Sequence, residues 1–277
     1  MTNPRALLDH FELHPKKSLG QNFLHDPNTL EKIVNTAEIM PDDTVIEIGT
    51  GTGTLTKRLA EKARNVISIE IDESLRPVLE IELAQHSNVV LMFEDFLQVD
   101  VLQLVGARDF IVVANMPYYI TSKIIRQLLD RHRRPKRLVL TMQYEVAQRI
   151  VAEPGDMSLL AVSVQFYGEP EIITKLNPGV FWPRPDVDSA VLRVDLYDDP
   201  IVDVPDSDLF FQVVKAGFSQ KRKQLKNSLG GGLGIKSKIA GGLLEQAGID
   251  ATRRAETLTI AEWAALARVY MAMQPST

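Results

Sequence analysis

Cysteine is absent from the 277-residue sequence, histidine and tryptophan are scarce, and no long apolar run occurs. Without cysteine there is no disulfide, no thiolate nucleophile and no Cys-ligated zinc. The five histidines stand at 10, 14, 25, 86 and 132, a scatter without metal-ligand spacing, so no metal is expected. No stretch approaches the roughly 20 apolar residues that cross a bilayer. The opening MTNPRALLDHFELHPKK also lacks the apolar segment of a secretion signal. Membrane and secreted classes are thereby set aside, and a cytoplasmic location is expected. What is present is 45% hydrophobic and 24% charged residues, enough to bury one large domain and a smaller one.

Strong net charge is also missing: the balance is −5. Its distribution is uneven. Residues 1–200 carry 21 basic against 29 acidic side chains, and residues 201–277 carry 10 against 7. RHRRPKR (131–137) holds five basic residues in seven, and SQKRKQLK (219–226) four in eight. Polyanions respond to local potential, so these two clusters are candidate nucleic-acid contacts despite the negative sum. A solvated loop or helix face would explain them equally.

Strand and helix patterns alternate through the first 200 residues. TVIEIG (44–49), NVISIEID (65–72) and NVVLMFED (88–95) read as strands, and TLTKRLAEKA (54–63) and SLRPVLEIELAQH (74–86) as the helices between them. Further strands are expected at 110–114, 137–142, 159–167 and 189–196. Such alternation specifies a parallel sheet covered by helices on both faces. After DDPIVDVPD (198–206), a linker by composition, only helical patterns recur, in SDLFFQVVKAGF, KSKIAGGLLEQAG and IAEWAALARVYMAM. The expected division is therefore 1–200 and 201–277.

Ligands of open parallel sheets bind beyond the carboxyl ends of the strands. The first strand ends in EIGTGTGTLT, with Gly49, Gly51 and Gly53. Glycines there permit positive φ and close approach of backbone to ligand, although a tight strand-to-helix turn would use them too. A dinucleotide fingerprint requires a third glycine at position 54, which is Thr. The second strand ends in Glu70, 21 residues beyond Gly49, where a carboxylate can bind ribose hydroxyls. Asp95 ends the third and could accept an adenine amino group, or simply cap the turn that follows. Together these residues fit a small adenosine-containing molecule without a pyrophosphate.

The fourth strand ends in Asn115-Met116-Pro117-Tyr118. An amide oxygen and a nearby backbone carbonyl, that of Met116 or Pro117, provide two acceptors, and an exposed phenol a stacking face for a nucleobase. A strand-ending turn packed by tyrosines is the plainer alternative.

With QNFL (21–24), IEID, ED, FWPRPDVDSAV (181–191), FSQKRKQLKNSL (218–229) and RAETLT (254–259), these stretches follow one another in an order that resembles the small-subunit ribosomal RNA adenine dimethyltransferases. The resemblance runs from about residue 14 to 260. Met116 stands where that family usually has Leu, and PGDMSLLAV (154–162) departs from the family pattern. The resemblance implies a Rossmann-like S-adenosylmethionine methyltransferase sheet over 1–200 and a smaller all-α RNA- or subunit-binding domain over 201–277. It implies cofactor contacts from Asn22, Leu24, Gly49, Gly51, Glu70, Asp95 and Asn115, with Phe23 walling the acceptor pocket. Catalytic roles fall on Asn115, Pro117 and Tyr118, and base stacking on Tyr118 and Phe181. RNA contacts fall on Lys221, Arg222, Lys223 and Lys226, and on the 131–137 cluster, Arg134 and Arg137 included. The implied substrate is small-subunit rRNA in an immature 30S-type subunit, dimethylated at N6 of two adjacent adenosines by a monomer. Alternatives are a large-subunit rRNA methyltransferase conferring antibiotic resistance, a non-catalytic assembly factor, and an NAD-dependent oxidoreductase. The last lacks both the third glycine and a catalytic His or Tyr-Lys constellation.

Overall fold

The computed structural model describes residues 3–106, 108–117, 120–129, 133–204 and 206–274. The chain forms two compact units, one of residues up to Ala147 together with Pro170–Leu196, the other of Gln148–Glu169 together with the chain from Tyr197 onward. This differs from a single cut at residue 200, because 148–169 belongs with the C-terminal helices.

The first unit holds strands β1 (Phe23–Leu24), β2 (Thr44–Ile48), β3 (Asn65–Glu70), β4 (Val89–Phe93), β5 (Phe110–Asn115), β6 (Arg137–Gln143), β7 (Gly168–Leu176, part of this unit from Pro170), β8 (Phe181–Trp182) and β9 (Ser189–Leu196). Its helices are α1 (Pro4–His10), α2 (Pro27–Ala37), α3 (Thr54–Ala60), α4 (Arg76–Glu82), α5 (Val101–Val105) and α6 (Thr121–Leu129), and α7 (Tyr144–Ile150) leads out of it. The main sheet has the order β4-β3-β2-β5-β6-β9-β7. β4, β3, β2, β5 and β6 are parallel, whereas β9 runs antiparallel to β6, Arg137 facing Asp195 and Gln143 facing Ser189. The expected all-parallel sheet is thus a mixed one. The alternation that enforces parallel strands ends at β6, and the next helical segment belongs to the other unit.

Every residue of β2 is buried, so both faces of the sheet are covered. One face packs Val45, Val66, Ile111, Val113 and Val139 against Leu30, Ile33 and Val34 of α2 and Leu55 and Leu59 of α3. Helix α2 begins where Asp26 accepts the Thr29 amide at 2.8 Å with Pro27 in its first turn. It ends at Glu38, left-handed at φ 46°, whose carboxylate is gripped by Arg193 and Arg137 at 2.7 and 2.8 Å. Those guanidiniums, Arg193 first, hold the Glu38 carboxyl below its usual range.

From β2 the chain runs outward to β3 and β4, then returns to β5 on the other flank of β2. Connections therefore leave β2 and β5 in opposite directions, which opens a crevice at their carboxyl ends.

The second unit contains α8 (Leu159–Tyr167), α9 (Ser207–Gly217), α10 (Leu225–Leu233), α11 (Ser237–Gln246) and α12 (Ile260–Met273). Residues 159–167, expected as a strand, form α8. LLAVSVQFY is apolar on all sides, a pattern common to buried strands and buried helices. Ser158 decides it locally by capping the Ala161 amide at 3.1 Å, and Phe166 stacks on Phe210 of α9 at 4.4 Å. Helix α10 escapes sequence reading because LKNSLGGGL carries three glycines, each costing about 1 kcal/mol in a helix interior. Tight packing requires one of them: a β-carbon on Gly232 would lie 2.5 Å from the Ala216 Cα. Among the described residues no helix is long and apolar enough to cross a membrane, and no three His, Cys, Asp or Glu are grouped to hold a metal.

Candidate active site

At the carboxyl ends of β2, β3 and β5 lies a cleft of about 790 Å³, open solvent included. It takes its floor from the glycine turn, where Gly49, Gly51 and Gly53 have φ of 83°, 58° and 76°. A side chain at Gly49 would meet the Asn115 carbonyl at 3.3 Å, and one at Gly51 the Phe23 ring at 3.1 Å. The backbone is therefore the surface a ligand meets.

Glu70 ends β3 with both oxygens committed: Oε2 accepts the Gly51 amide at 2.8 Å and Oε1 the Asp72 amide at 2.9 Å. It is nearly buried, and burial pushes its carboxyl upward against those two bonds. Asp95 lines the cleft and also caps the turn after β4, its Oδ1 accepting the Leu97 amide at 3.0 Å. The cap uses Oδ1 alone, and Oδ2 has no partner among the described residues.

A strap of residues 16–24 closes the near side. Leu19, Gly20, Gln21, Asn22 and Phe23 all line the cleft. Leu24 lies just beyond that lining: it borders a smaller pocket with Phe23, Gly49, Gly51 and Asn115, pairs with Phe181 across β1 and β8, and joins the core of Leu30 and Ile33. Phe181, expected to stack on the target base, is 2% exposed in that same core and presents no free face. Its neighbour Trp182 stacks on Phe23 at 6.4 Å instead, the alternation along a strand having turned it to the opposite side, against the cluster of Leu7, Leu8 and Leu75.

Asn115 ends β5 at the centre. Its Nδ2 donates to the Asn22 carbonyl at 3.0 Å, which leaves Oδ1 without a donor among the described residues. The Pro117 carbonyl accepts from Thr121 Oγ1 and the Ile120 amide, both at 3.3 Å, and so closes the first turn toward α6. No bond among the described residues goes to the Met116 carbonyl, whose amide is tied to Thr141 at 3.1 Å. Of the two carbonyls that could be the second acceptor, Met116 rather than Pro117 has its oxygen available. Tyr118 lies outside the described residues, as does Arg131.

Beneath the glycine turn, Glu47 is fully buried. Its Oε2 accepts Thr56 Oγ1 and Ser68 Oγ, each at 2.6 Å, and Ser68 Oγ meets Thr50 Oγ1 at 2.7 Å, while Oε1 has no partner among the described residues. Burial drives its pKa up to about 7. Strand-end reasoning misses this residue; an acid at the centre of TVIEI is the available signal.

Among the described residues the lining includes Glu70, Glu94 and Asp95 but no Lys or Arg. A cationic ligand suits such walls, and a pyrophosphate does not. The Gly-walled floor, the carboxylate ending β3 and the acidic lining thus fit the S-adenosylmethionine that the sequence resemblance implies, and Asn22, Gly49, Gly51, Glu70, Asp95 and Asn115 all line the cleft. The two basic clusters diverge. Arg137 is spent on Glu38 and Asp195, Lys136 on Asp43, Arg133 on Asp109, and the Arg134 Nε on the Leu129 carbonyl. Lys221, Arg222 and Lys223 are exposed and Lys226 half-buried, with no ion pair among the described residues.

A doubly wound sheet with an antiparallel β9, a glycine turn and an acid ending the next strand define a Rossmann-like S-adenosylmethionine-dependent methyltransferase, here with a helical C-terminal part. More narrowly, residues 13–266 match the model of the ribosomal RNA adenine dimethylase family, and the chain belongs to that family. Relatives named ribosomal RNA small subunit methyltransferase A include those of Alkaliphilus metalliredigens, 44% identical over 98% of this chain and 96% of the relative, and of Clostridium botulinum, 45% identical over 95% and 97%. Among solved structures, a dimethyladenosine transferase from Plasmodium falciparum aligns with a TM-score of 0.76 at 26% identity, over 88% of this chain and 95% of the other. The 23S rRNA methyltransferase ErmE aligns at 0.71 and 29% identity, over 90% and 99%.

Proposed function

We propose that this chain transfers methyl groups from S-adenosylmethionine to N6 of two adjacent adenosines near the 3′ end of small-subunit rRNA, in the cytoplasm, during subunit assembly. The names and 39–45% identity of the small-subunit relatives support this over a large-subunit target. The observation that carries the chemistry is Asn115, a cleft residue whose Nδ2 is held by the Asn22 carbonyl and whose oxygen has no donor among the described residues.

The bound donor supplies a methyl group already activated on a sulfonium. The chain must supply alignment and a place for developing positive charge. An adenine amino group is a weak nucleophile because its lone pair is delocalised into the ring. Asn115 Oδ1 and the Met116 carbonyl can each accept one of its hydrogens, which favours a pyramidal nitrogen and stabilises the charge that arrives as the N–C bond forms. Alignment of this kind is worth roughly 7 to 11 kcal/mol at best. One proton leaves to solvent for each methyl gained, and no strong base is required. The base must leave its RNA stack to reach the cleft, and Tyr118 is the residue proposed to stack on it.

The test is incubation with labelled methyl donor and unmethylated small subunits, followed by nucleoside analysis. Dimethyladenosine confined to small-subunit RNA is the expected product. Label only in large-subunit RNA would favour the alternative target, and no label would overturn the reading.

RNA grip is assigned to residues 221–226, the loop before α10 and its first turn, whose cations make no ion pair among the described residues, rather than to 131–137. Replacing Lys221, Arg222 and Lys223 with Ala is expected to lower the slope of log affinity against log salt by about 2 to 3, at roughly 0.7 to 0.9 for each phosphate no longer neutralised. Filter binding of rRNA fragments across a salt series measures it. An unchanged slope would remove the loop from the interface.

A further inference from the structure

The strap that places the Asn22 carbonyl against Asn115 is itself held at a point outside the cleft lining. Asp72 lies two residues past Glu70 and is 3% exposed. Its Oδ1 accepts Lys16 Nζ at 2.6 Å, along with the Ser74 amide and hydroxyl at 3.1 and 2.6 Å. Its Oδ2 accepts Gln21 Nε2 at 2.7 Å, and Gln21 Oε1 in turn accepts the Lys16 amide at 2.7 Å. One buried carboxylate thus clasps both ends of the loop 16–21, which immediately precedes Asn22. The far side of the strap is fixed by pairing of Phe23 with Trp182 and of Leu24 with Phe181. Between these anchors the Asn22 carbonyl accepts from Asn115 Nδ2 at 3.0 Å.

We propose that Asp72 is a positioning residue for methyl transfer: by latching Lys16 and Gln21 it holds the strap so that the Asn22 carbonyl fixes the Asn115 amide with its oxygen toward the substrate. The inference rests on the methyltransferase reading above. Asp72 touches neither substrate nor cofactor in this scheme. Its backbone amide, which serves Glu70, is unaltered by a side-chain change, so the latch can be tested apart from Glu70.

Hydrogen-bond direction supplies the test. Asp72→Asn sets an amide NH2 against the Gln21 NH2, two donors facing each other, and Gln21→Glu alone sets two carboxylates together. The double variant restores a donor and an acceptor with polarity reversed, since a carboxylate at 21 can still accept the Lys16 amide. Lys16→Met, at a half-exposed side chain, weakens the latch with little risk to folding. Two readouts are taken in the full chain: hydrogen exchange at the 22–24 amides without any ligand, and single-turnover methyl transfer at saturating donor. Each single variant is expected to exchange at least tenfold faster and to transfer at least tenfold slower. The double variant is expected to recover most of both. Unchanged exchange in all the singles, faster exchange with unchanged transfer, or a double variant no better than its parents would each overturn the proposal. Absence of transfer in the unaltered chain would be a separate result, overturning the functional reading and the inference with it.

Discussion

Asn115→Ala is expected to lower methyl transfer by about 10² to 10³, the loss usual for one preorganised charge-stabilising bond. Binding to unmethylated small subunits is expected to persist, because the unspent cations of 221–226 lie in the other unit. Asn115→Asp should be nearly as poor, although it keeps an acceptor for the amino group. At this position the second atom of the side chain faces the Asn22 carbonyl at 3.0 Å. A carboxylate there opposes one acceptor with another, and the side chain must turn away. Single-turnover assays beside subunit pull-down separate the two effects. Full methylation by the Ala variant would take Asn115 out of the chemistry. Comparable loss of subunit binding would mean that the substitution had damaged more than the site.

Glu47→Gln is expected to act on stability with a distinct pH signature. The ordinary carboxyl value is 4.5, and burial raises it to about 7 in the fold. Between those values the folded chain keeps a proton that the unfolded chain has released, so stability falls as pH rises from about 4.5 to 7 and then levels off. At about 1.4 kcal/mol per unit, Glu47 costs the fold on the order of 3 kcal/mol at pH 8. Gln keeps an oxygen for Thr56 and Ser68 without the charge. The variant should therefore match the parent near pH 4 and exceed it by roughly 2 to 3 kcal/mol at pH 8. Denaturant midpoints of the first unit, followed through Trp182 in a Trp263→Phe background, give the comparison. Glu70 is shifted in the same direction, and its charge adds to the rise at Glu47, so the difference between the chains reads Glu47 together with that coupling. Parallel pH curves would show that the raised Glu47 value is wrong.

Residues at strand ends are legible in the sequence because their positions follow from strand period and chain order alone. Gly49, Glu70, Asp95 and Asn115 converge on one cleft as a doubly wound topology requires. Side-chain commitments made across long separations are not legible. Arg137 reads as one more cation in a basic run, yet its partners Asp195 and Glu38 lie 58 and 99 residues away. Which of Phe181 and Trp182 turns into the core depends on the register of β8 against β1, two strands too short to show a period. Helix α8 is hidden for a related reason: a run apolar on every side carries no periodicity, and its true partner Phe210 belongs to a helix 40 residues later.

That separation has a consequence for how the molecule is made. Segment 148–169 emerges from the ribosome long before α9 and α12, and then the chain goes back to complete the sheet with β7 and β9. During synthesis α8 must wait, its aromatic side uncovered, until the closing helices arrive. Neither unit is a continuous piece of chain, so termination near residue 197 leaves Phe166 bare rather than releasing a finished N-terminal half.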